Sequence, residues 1–315
     1  MSDSMGVSSY AFAFFAGTIA CAVFTKAFSL RMSTKYTMAD QPARFAKAVK
    51  EGNKRAIALV ESGMYNPKSI KDKTIVVTGG NRGLGRAIVD ELVSVGANVY
   101  VTVRKAGVQI DGVKGIIDGI EVQDDKCGDI LATKLKAAGV NSVDVLVNNA
   151  GYFPDIPESI INKKLDFKEE VKMIDICAVG PLRVTAGLFQ ADMLPKGSKV
   201  AMITSQGGSI SWRPVQNGGE GGDYGHHMSK AAANMMGVLV QEELRKMGVC
   251  VSILHPGFNK TDMTKKYEKI WEVEGAVDPS TGAKRVTHEI QRMYDSPEEM
   301  EGAFINCEDG MNIPW

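Results

Sequence analysis

The sequence predicts an α/β protein, a parallel sheet with helices on both faces. Three observations carry that expectation. Residues 74–78 (TIVVT) form a short β-branched run, as a strand buried on both faces requires. It leads into Gly79-Gly-Asn81-Arg82-Gly83-Leu84-Gly85 and then the helical pattern RAIVDELVSVG, which closes at Gly96. A second strand pattern, Asn98 to Val103, follows, so strand, glycine turn, helix and strand make one βαβ unit.

The 315 residues, 44% of them hydrophobic, provide ample material for a buried core. Lys and Arg (37) balance Asp and Glu (37), which argues against nucleic acid as the main partner, because counterion release needs a basic surface. The five cysteines, Cys21, Cys127, Cys177, Cys250 and Cys307, are scattered and include no CxxC pair. That spacing points to an intracellular, reducing compartment rather than a disulfide framework or a zinc site. No His, Cys, Asp and Glu cluster has metal-ligand spacing, so no metal is expected.

The charge is unevenly placed along the chain. Ser4 to Thr25 contains no charged residue, and Tyr10 to Phe24 is almost wholly apolar. Residues 31–73 then hold ten Lys/Arg against four Asp/Glu. The expected division is an apolar leader or membrane anchor over 1–30, a basic, partly helical linker over 31–68, and a folded domain over 69–315. Attachment through residues 7–30 would place the domain on the cytoplasmic side by the positive-inside rule. A cleaved organelle-targeting leader and a misassigned start codon are the alternatives. Residues 40–62 read as an amphipathic helix broken at Gly52-Asn53, and residues 63–67 as a turn.

The glycine turn carries the chemistry. Glycines let backbone turn sharply and approach a pyrophosphate, and the helix that follows offers unpaired N–H groups at its positive end. The motif TGGNRGLG resembles the cofactor motif of the short-chain dehydrogenase/reductases, and the closing GAFINCEDGMNIPW resembles the last strand and tail of their carbonyl-reductase-like and C-factor-like members. Four further segments match in order. Residues 143–147 followed by Asn148-Asn149-Ala150-Gly151 are similar to the family's NNAG motif. Residues 200–204 followed by Ser205 resemble the fifth strand and its catalytic serine. Residues 229–232 (SKAA) resemble the active-site helix, and His255-Pro256-Gly257 through Thr261 the loop over the nicotinamide. The resemblance covers Ser69 to Trp315 and implies a Rossmann-type three-layer αβα sandwich around a mostly parallel sheet of about seven strands. It also implies a small carbonyl or alcohol substrate, and it leaves monomer and homo-oligomer open.

Cofactor contacts are expected at Thr78, Gly79, Asn81, Arg82, Gly83, Leu84 and Gly85, at Asn149, Ala150 and Gly151, and at Lys230, Pro256, Gly257 and Thr261. An acidic residue at the end of the second strand would favour NAD through the ribose hydroxyl. This chain has Arg104 there, and Arg82 stands within the turn, so two guanidinium groups favour the 2′-phosphate of NADP(H). Glu121-Val122 stands where the family usually carries Asp-Val near the adenine.

The catalytic positions depart from the family pattern. The family's proton donor is a tyrosine four residues before the lysine, and four residues advance a helix by about 400°, returning to one face. Four residues before Lys230 stands His226. Tyr224 is expected in the preceding glycine-rich turn, a poor substitute. The family's helix asparagine is replaced by Cys177. The catalytic set is therefore Ser205, His226, Lys230 and Cys177. Lys230 disfavours a protonated imidazole at His226, which points to a slow NADPH-dependent reductase or, alternatively, to an NADP(H)-binding, sensing or assembly protein. His227 is expected on the surface or packed on a loop, and His288 as a polar residue of a late helix. Trp212 and Pro214 are candidates for a substrate cleft in a long, glycine-rich connection, which reads equally as a lid or an insertion. Tyr267, Ile270 and Trp271 are expected either to line a covering loop or to pack in the core.

Overall fold

A computed structural model describes residues 65–315 apart from 155–157, 162, 215–220 and 273. The leader, the linker up to residue 64 and the amphipathic helix expected over 40–62 lie outside the described residues. So do Gly218 and Gly219 of the long connection.

The strands are β1 (Thr74–Thr78), β2 (Asn98–Thr102), β3 (Gly115–Ile117), β4 (Val145–Asn148), β5 (Lys199–Ile203), β6 (Cys250–His255), β7 (Phe304–Asn306) and β8 (Met311–Asn312). They form one sheet in the order β3-β2-β1-β4-β5-β6-β7-β8. The first seven are parallel, as expected. The eighth is a two-residue antiparallel edge strand that the sequence reading lacked, formed where the chain doubles back after Asn306.

Consecutive strand residues point to opposite faces, and each face has its own core. Ile75, Val77, Val99 and Val101 pack beneath α1 (Gly83–Ser94) and α6 (Pro279–Asp295), meeting Ile88, Leu92, Val286 and Ile290. Val76, Leu146, Val200 and Val251 face the opposite layer of α2 (Cys127–Ala137), α3 (Phe167–Ile174), α4 (Gly180–Gln190) and α5 (Tyr224–Leu244). A short helix α7 (Pro297–Met300) precedes β7. This is the expected three-layer sandwich.

Helices α2 and α4 touch through glycines. A β-carbon on Gly187 would lie 2.4 Å from the carbonyl carbon of Gly128. Gly187→Ala is therefore expected to cost about 3 kcal/mol, read as a lower urea midpoint at unchanged slope.

Between α3 and α4 the chain takes a wider, π-helical turn over Asp175–Val179, which contains Cys177. Among the described residues no helix is long and apolar enough to cross a membrane.

Candidate active site

The carboxyl ends of the parallel strands open onto one cleft of about 530 Å³. Its first wall is the glycine turn between β1 and α1. Gly79 and Gly83 hold φ of +65° and +54°, a region that side-chain-bearing residues avoid. A β-carbon on Gly85 would sit 2.3 Å from Asn149 Nδ2 and 2.5 Å from the Gly79 carbonyl oxygen. Asn149 is fixed there because its amide donates to the carbonyls of Thr78 (3.0 Å) and Gly79 (3.2 Å). Thr78 Oγ1 accepts from the backbone N–H groups of Asn149 and Ala150, both at 3.0 Å, lacing β1 to the end of β4. Helix α1 begins after Arg82 with no side-chain cap and no acidic residue in its first turn. An uncapped helix N-terminus facing a cleft suits an anion.

The second wall follows β5. Ser205 caps a short 3₁₀ turn over Gln206–Gly208, its Oγ accepting from the Gly207 N–H at 3.0 Å. That bond occupies a lone pair and leaves the hydroxyl proton free to donate. The turn rests directly on α5, since a β-carbon on Gly208 would meet the Lys230 backbone at 2.6 Å. Gly207 sits against both histidines in the same way, 3.0 Å from His227 Nδ1 and 3.3 Å from His226 Nε2 by the same measure. Thr204 Oγ1 donates to Asn234 Oδ1 at 2.7 Å, a second tie between β5 and α5.

Helix α5 starts at Tyr224, not after it. Asp223 precedes it with φ +45° and makes no cap with its own side chain. Glu158 reaches in from a distant loop instead, its Oε2 accepting from the Gly225 N–H at 2.9 Å. Tyr224 thus belongs to the helix rather than to the preceding turn, yet it does not line the cleft. Ser205, His226 and Lys230 do. The His226 ring lies 4.5 Å from the Phe153 ring and 5.4 Å from that of His227.

Burial pushes the His226 imidazole well below its ordinary basicity, and Lys230, His227, Lys266 and Arg213 add to the shift. His227 is lowered as well, chiefly by burial. At neutral pH both rings are uncharged. His255 ends β6, lines the cleft, and is held down to about 3 by burial, then by Lys230 and Arg285. Unfolded, the same imidazole takes up a proton below about pH 6.5. The unfolded state therefore binds more protons between about pH 6.5 and 3, and stability falls as pH drops through that window. His255→Asn is expected to shrink the difference between urea midpoints at pH 7 and pH 5.

The third wall comes from the segment after β6. Asn259 Nδ2 donates to the Gly257 carbonyl at 2.9 Å, and Thr261 forms a capping box with Thr264 at the start of a 3₁₀ helix over Asp262–Ile270. The Thr261 methyl group lies 3.6 Å from where a Gly83 β-carbon would be, so this segment faces the glycine turn across the cleft. Lys266 anchors the far side: its Nζ bonds Asp223 Oδ1 (3.1 Å) and the Pro154 carbonyl (3.4 Å) and stands 3.6 Å over the Phe153 ring. The Tyr267 hydroxyl donates to the other oxygen of Asp223.

Residues 73–270 match the model of the short chain dehydrogenase family. The chain belongs to that family. Among its relatives in the short-chain dehydrogenase family is the 1-hydroxy-2-glutathionyl-2-methyl-3-butene dehydrogenase of a Rhodococcus species, 30% identical over 245 residues that span 77% of this chain and 99% of that protein. The C-signal protein of Myxococcus xanthus is 31% identical over 181 residues, 55% of this chain and 93% of its own. Among solved structures, an NADPH-bound carbonyl reductase from chicken fatty liver superposes with a TM-score of 0.60 at 21% identity, covering 78% of this chain and 100% of that one. The last likeness speaks to the fold.

Within this short-chain dehydrogenase cleft the structure gathers Arg82, Gly83, Leu84, Gly85, Asn149, Gly151, Ser205, His226, Lys230, Pro256, Gly257 and Thr261. Thr78, Gly79, Asn81 and Ala150 stand behind or beside that lining, and Thr78 acts through its bonds to Asn149 and Ala150. Arg104 lies at the end of β2 and faces Glu121 at 3.7 Å. Val122 is buried against Gly180. Cys177 is not in the cleft wall. Its Sγ accepts from the Tyr152 N–H at 3.4 Å and donates to the Tyr152 carbonyl at 3.5 Å, so it fastens the loop after β4.

Several expectations need correction. Trp212 is buried in the core and Pro214 is exposed, and neither lines the cleft, because the indole packs inward under the loop. Arg213, between them, does line it. Tyr267 and Ile270 line the cleft, while Trp271 does not. His227 packs on the Gly207 turn as one reading held, but it also faces the cleft. Among the described residues no group of His, Cys, Asp and Glu side chains has metal-site geometry.

Proposed function

We propose that the protein is an NADP(H)-dependent reductase of a small carbonyl compound. The supporting observation is that Ser205, His226 and Lys230 share one cleft with the uncapped N-terminus of α1 and Arg82. The glycine turn suits a dinucleotide pyrophosphate, since Gly85 packs against Asn149 and the Gly79 carbonyl with no room for a β-carbon, beside the uncapped N-terminus of α1. Arg82 and Arg104 suit the additional phosphate of NADP(H). When bound, reduced nicotinamide supplies a hydride for the carbonyl carbon. Lys230 holds the ribose, Asn149 and Gly85 keep the phosphate cradle open, and the Ser205 hydroxyl donates to the carbonyl oxygen. His226, uncharged, contributes an N–H hydrogen bond, and the proton reaches the oxygen from this ring or through a water beside it. Cys177 acts as a positioning residue through Tyr152.

NADPH oxidation against a panel of aldehydes and ketones tests this reading. Slow turnover is expected, with Ser205→Ala reducing kcat/KM by about 10²-fold. NADPH that fails to bind by calorimetry overturns it.

The low basicity of His226 favours a second reading, a cofactor-binding or sensing protein without turnover. A silent wild type that still binds NADPH, together with an active His226→Tyr variant, selects it. Membrane attachment through residues 7–30 or removal of that segment as a leader is decided by N-terminal sequencing of the mature protein. Self-association is a further proposal, motivated by Met228, Met235 and Leu239, which expose one apolar stripe of α5 and are read by light scattering.

A further inference from the structure

Arg213 is built into the cleft wall without a carboxylate partner among the described residues. Its Nη1 donates to His227 Nε2 at 2.9 Å, and His227 Nδ1 donates in turn to the Gly207 carbonyl at 2.8 Å. This chain fixes the tautomer, since Nδ1 must carry the proton for Nε2 to accept. The guanidinium therefore leans on a neutral ring.

Its Nε and Nη2 are shut off from solvent and have no hydrogen-bond partner among the described residues. Asp223, the carboxylate whose charge bears on Arg213, is already held by Lys266 Nζ and the Tyr267 hydroxyl. Buried donors without acceptors carry their full desolvation penalty, so native structures rarely keep them without a use. The surroundings sharpen the point. Phe153, Tyr267 and Ile270 present aromatic and apolar surface to the same cleft, and both histidines beside Arg213 are uncharged. A planar fork of N–H groups in such a setting matches a carboxylate, which accepts two parallel hydrogen bonds.

We propose that Arg213 receives a carboxylate of the substrate, so that the preferred substrates are oxo acids and carboxylated aldehydes rather than neutral ketones. The inference rests on the reductase reading for the reacting end of the molecule. It assigns the other end. Binding requires the guanidinium to turn so that Nε and Nη2, now shut off from solvent, face the cleft that Arg213 lines, with an aryl or alkyl body between carbonyl and carboxylate packed on Phe153 and Tyr267.

The test compares 3- and 4-carboxybenzaldehyde with their methyl esters, in full-length wild type, Arg213→Met and Arg213→Lys. In wild type kcat/KM is expected to favour each acid over its ester by about 10- to 100-fold, the range for a hydrogen-bonded charge. Arg213→Met brings the ratio near one. Arg213→Lys, which keeps the charge and loses the fork, lowers it by about tenfold. A merely structural role for Arg213 would leave the ratio where it was. In parallel, 4-(hydroxymethyl)benzoate and its methyl ester are titrated calorimetrically against protein saturated with NADP, and the same preference is expected.

If no aldehyde turns over but the acid still binds in an Arg213-dependent way, the reductase reading and the substrate class fail, and the assignment of Arg213 as the carboxylate-binding group stands. Parity of acid and ester in wild type overturns the carboxylate assignment and leaves the reductase reading intact. So does a preference that survives in both folded variants. Binding of neither titrant also overturns it.

Discussion

His226→Tyr is expected to raise the rate of NADPH-dependent aldehyde reduction by about 10²-fold, within the range that positioned general acid catalysis supplies. The argument turns on the field at this position. Burial opposes a positive charge on the imidazole most, and Lys230, one helical turn on, the adjacent His227, and Lys266 and Arg213 on facing segments oppose it further. The ring is therefore a hydrogen-bond donor that parts reluctantly with its only proton. The same cations act in the opposite sense on a phenol, because they stabilise the phenolate. Burial works against either charged form, but the three cations oppose an imidazolium and favour a phenolate, and it is their field that suits a tyrosine as proton donor. The neighbouring Phe153 ring, 4.5 Å away, offers an aromatic face for the larger side chain. The pH profile of kcat supplies the check, with a new alkaline limb expected in the variant and absent from the wild type. A folded His226→Tyr protein that binds NADPH yet turns over more slowly than wild type would mean that His226 is itself the working donor.

The glycine turn and the parallel sheet were legible because each is written in local spacing, whereas the pairing of Ser205 with Lys230 is implied only by the family resemblance. Strand, turn and helix at residues 74–96 are neighbours in sequence, and positions 226 and 230 share a face by helical geometry alone. The unread features are contacts made across long stretches of chain. Glu158 caps α5 from 67 residues away, and Cys177 fastens Tyr152 across 25. Nothing local announces either. Arg213 shows a different limit. In the run Trp212-Arg213-Pro214 the aromatic residue drew attention as a cleft candidate, whereas its size and hydrophobicity send it into the core. The polar residue beside it is left facing the cavity. The paired glycines Gly207 and Gly208 were a signal that went unused, since they mark where the turn must lie against the helix carrying both histidines.

Replacing Arg82 and Arg104 together by Ala is expected to raise the Kd for NADPH by about 10²- to 10⁴-fold while moving that for NADH only a few fold. Each guanidinium offers charge-assisted bonds to a phosphate dianion, worth about 1.5–3 kcal/mol apiece, and the phosphate is present in only one of the two cofactors. Arg104 faces Glu121 at 3.7 Å with two-thirds of its side chain exposed, an ion pair of small value in water that yields readily to a stronger anion. The two sites are expected to differ. Removing Arg82 deletes one cation beside the helix N-terminus. Removing Arg104 deletes a cation and also leaves Glu121 without its partner, so Arg104→Ala is the more damaging single change. Glu121→Gln in the Arg104→Ala background should then restore part of the affinity, whereas in wild type it should change little. Raised salt should weaken NADPH binding more steeply than NADH binding in the wild type, and the double variant should lose that difference. Equal losses for both dinucleotides would place the arginines on the shared pyrophosphate, and the preference for NADP(H) would then have to come from elsewhere in the cleft.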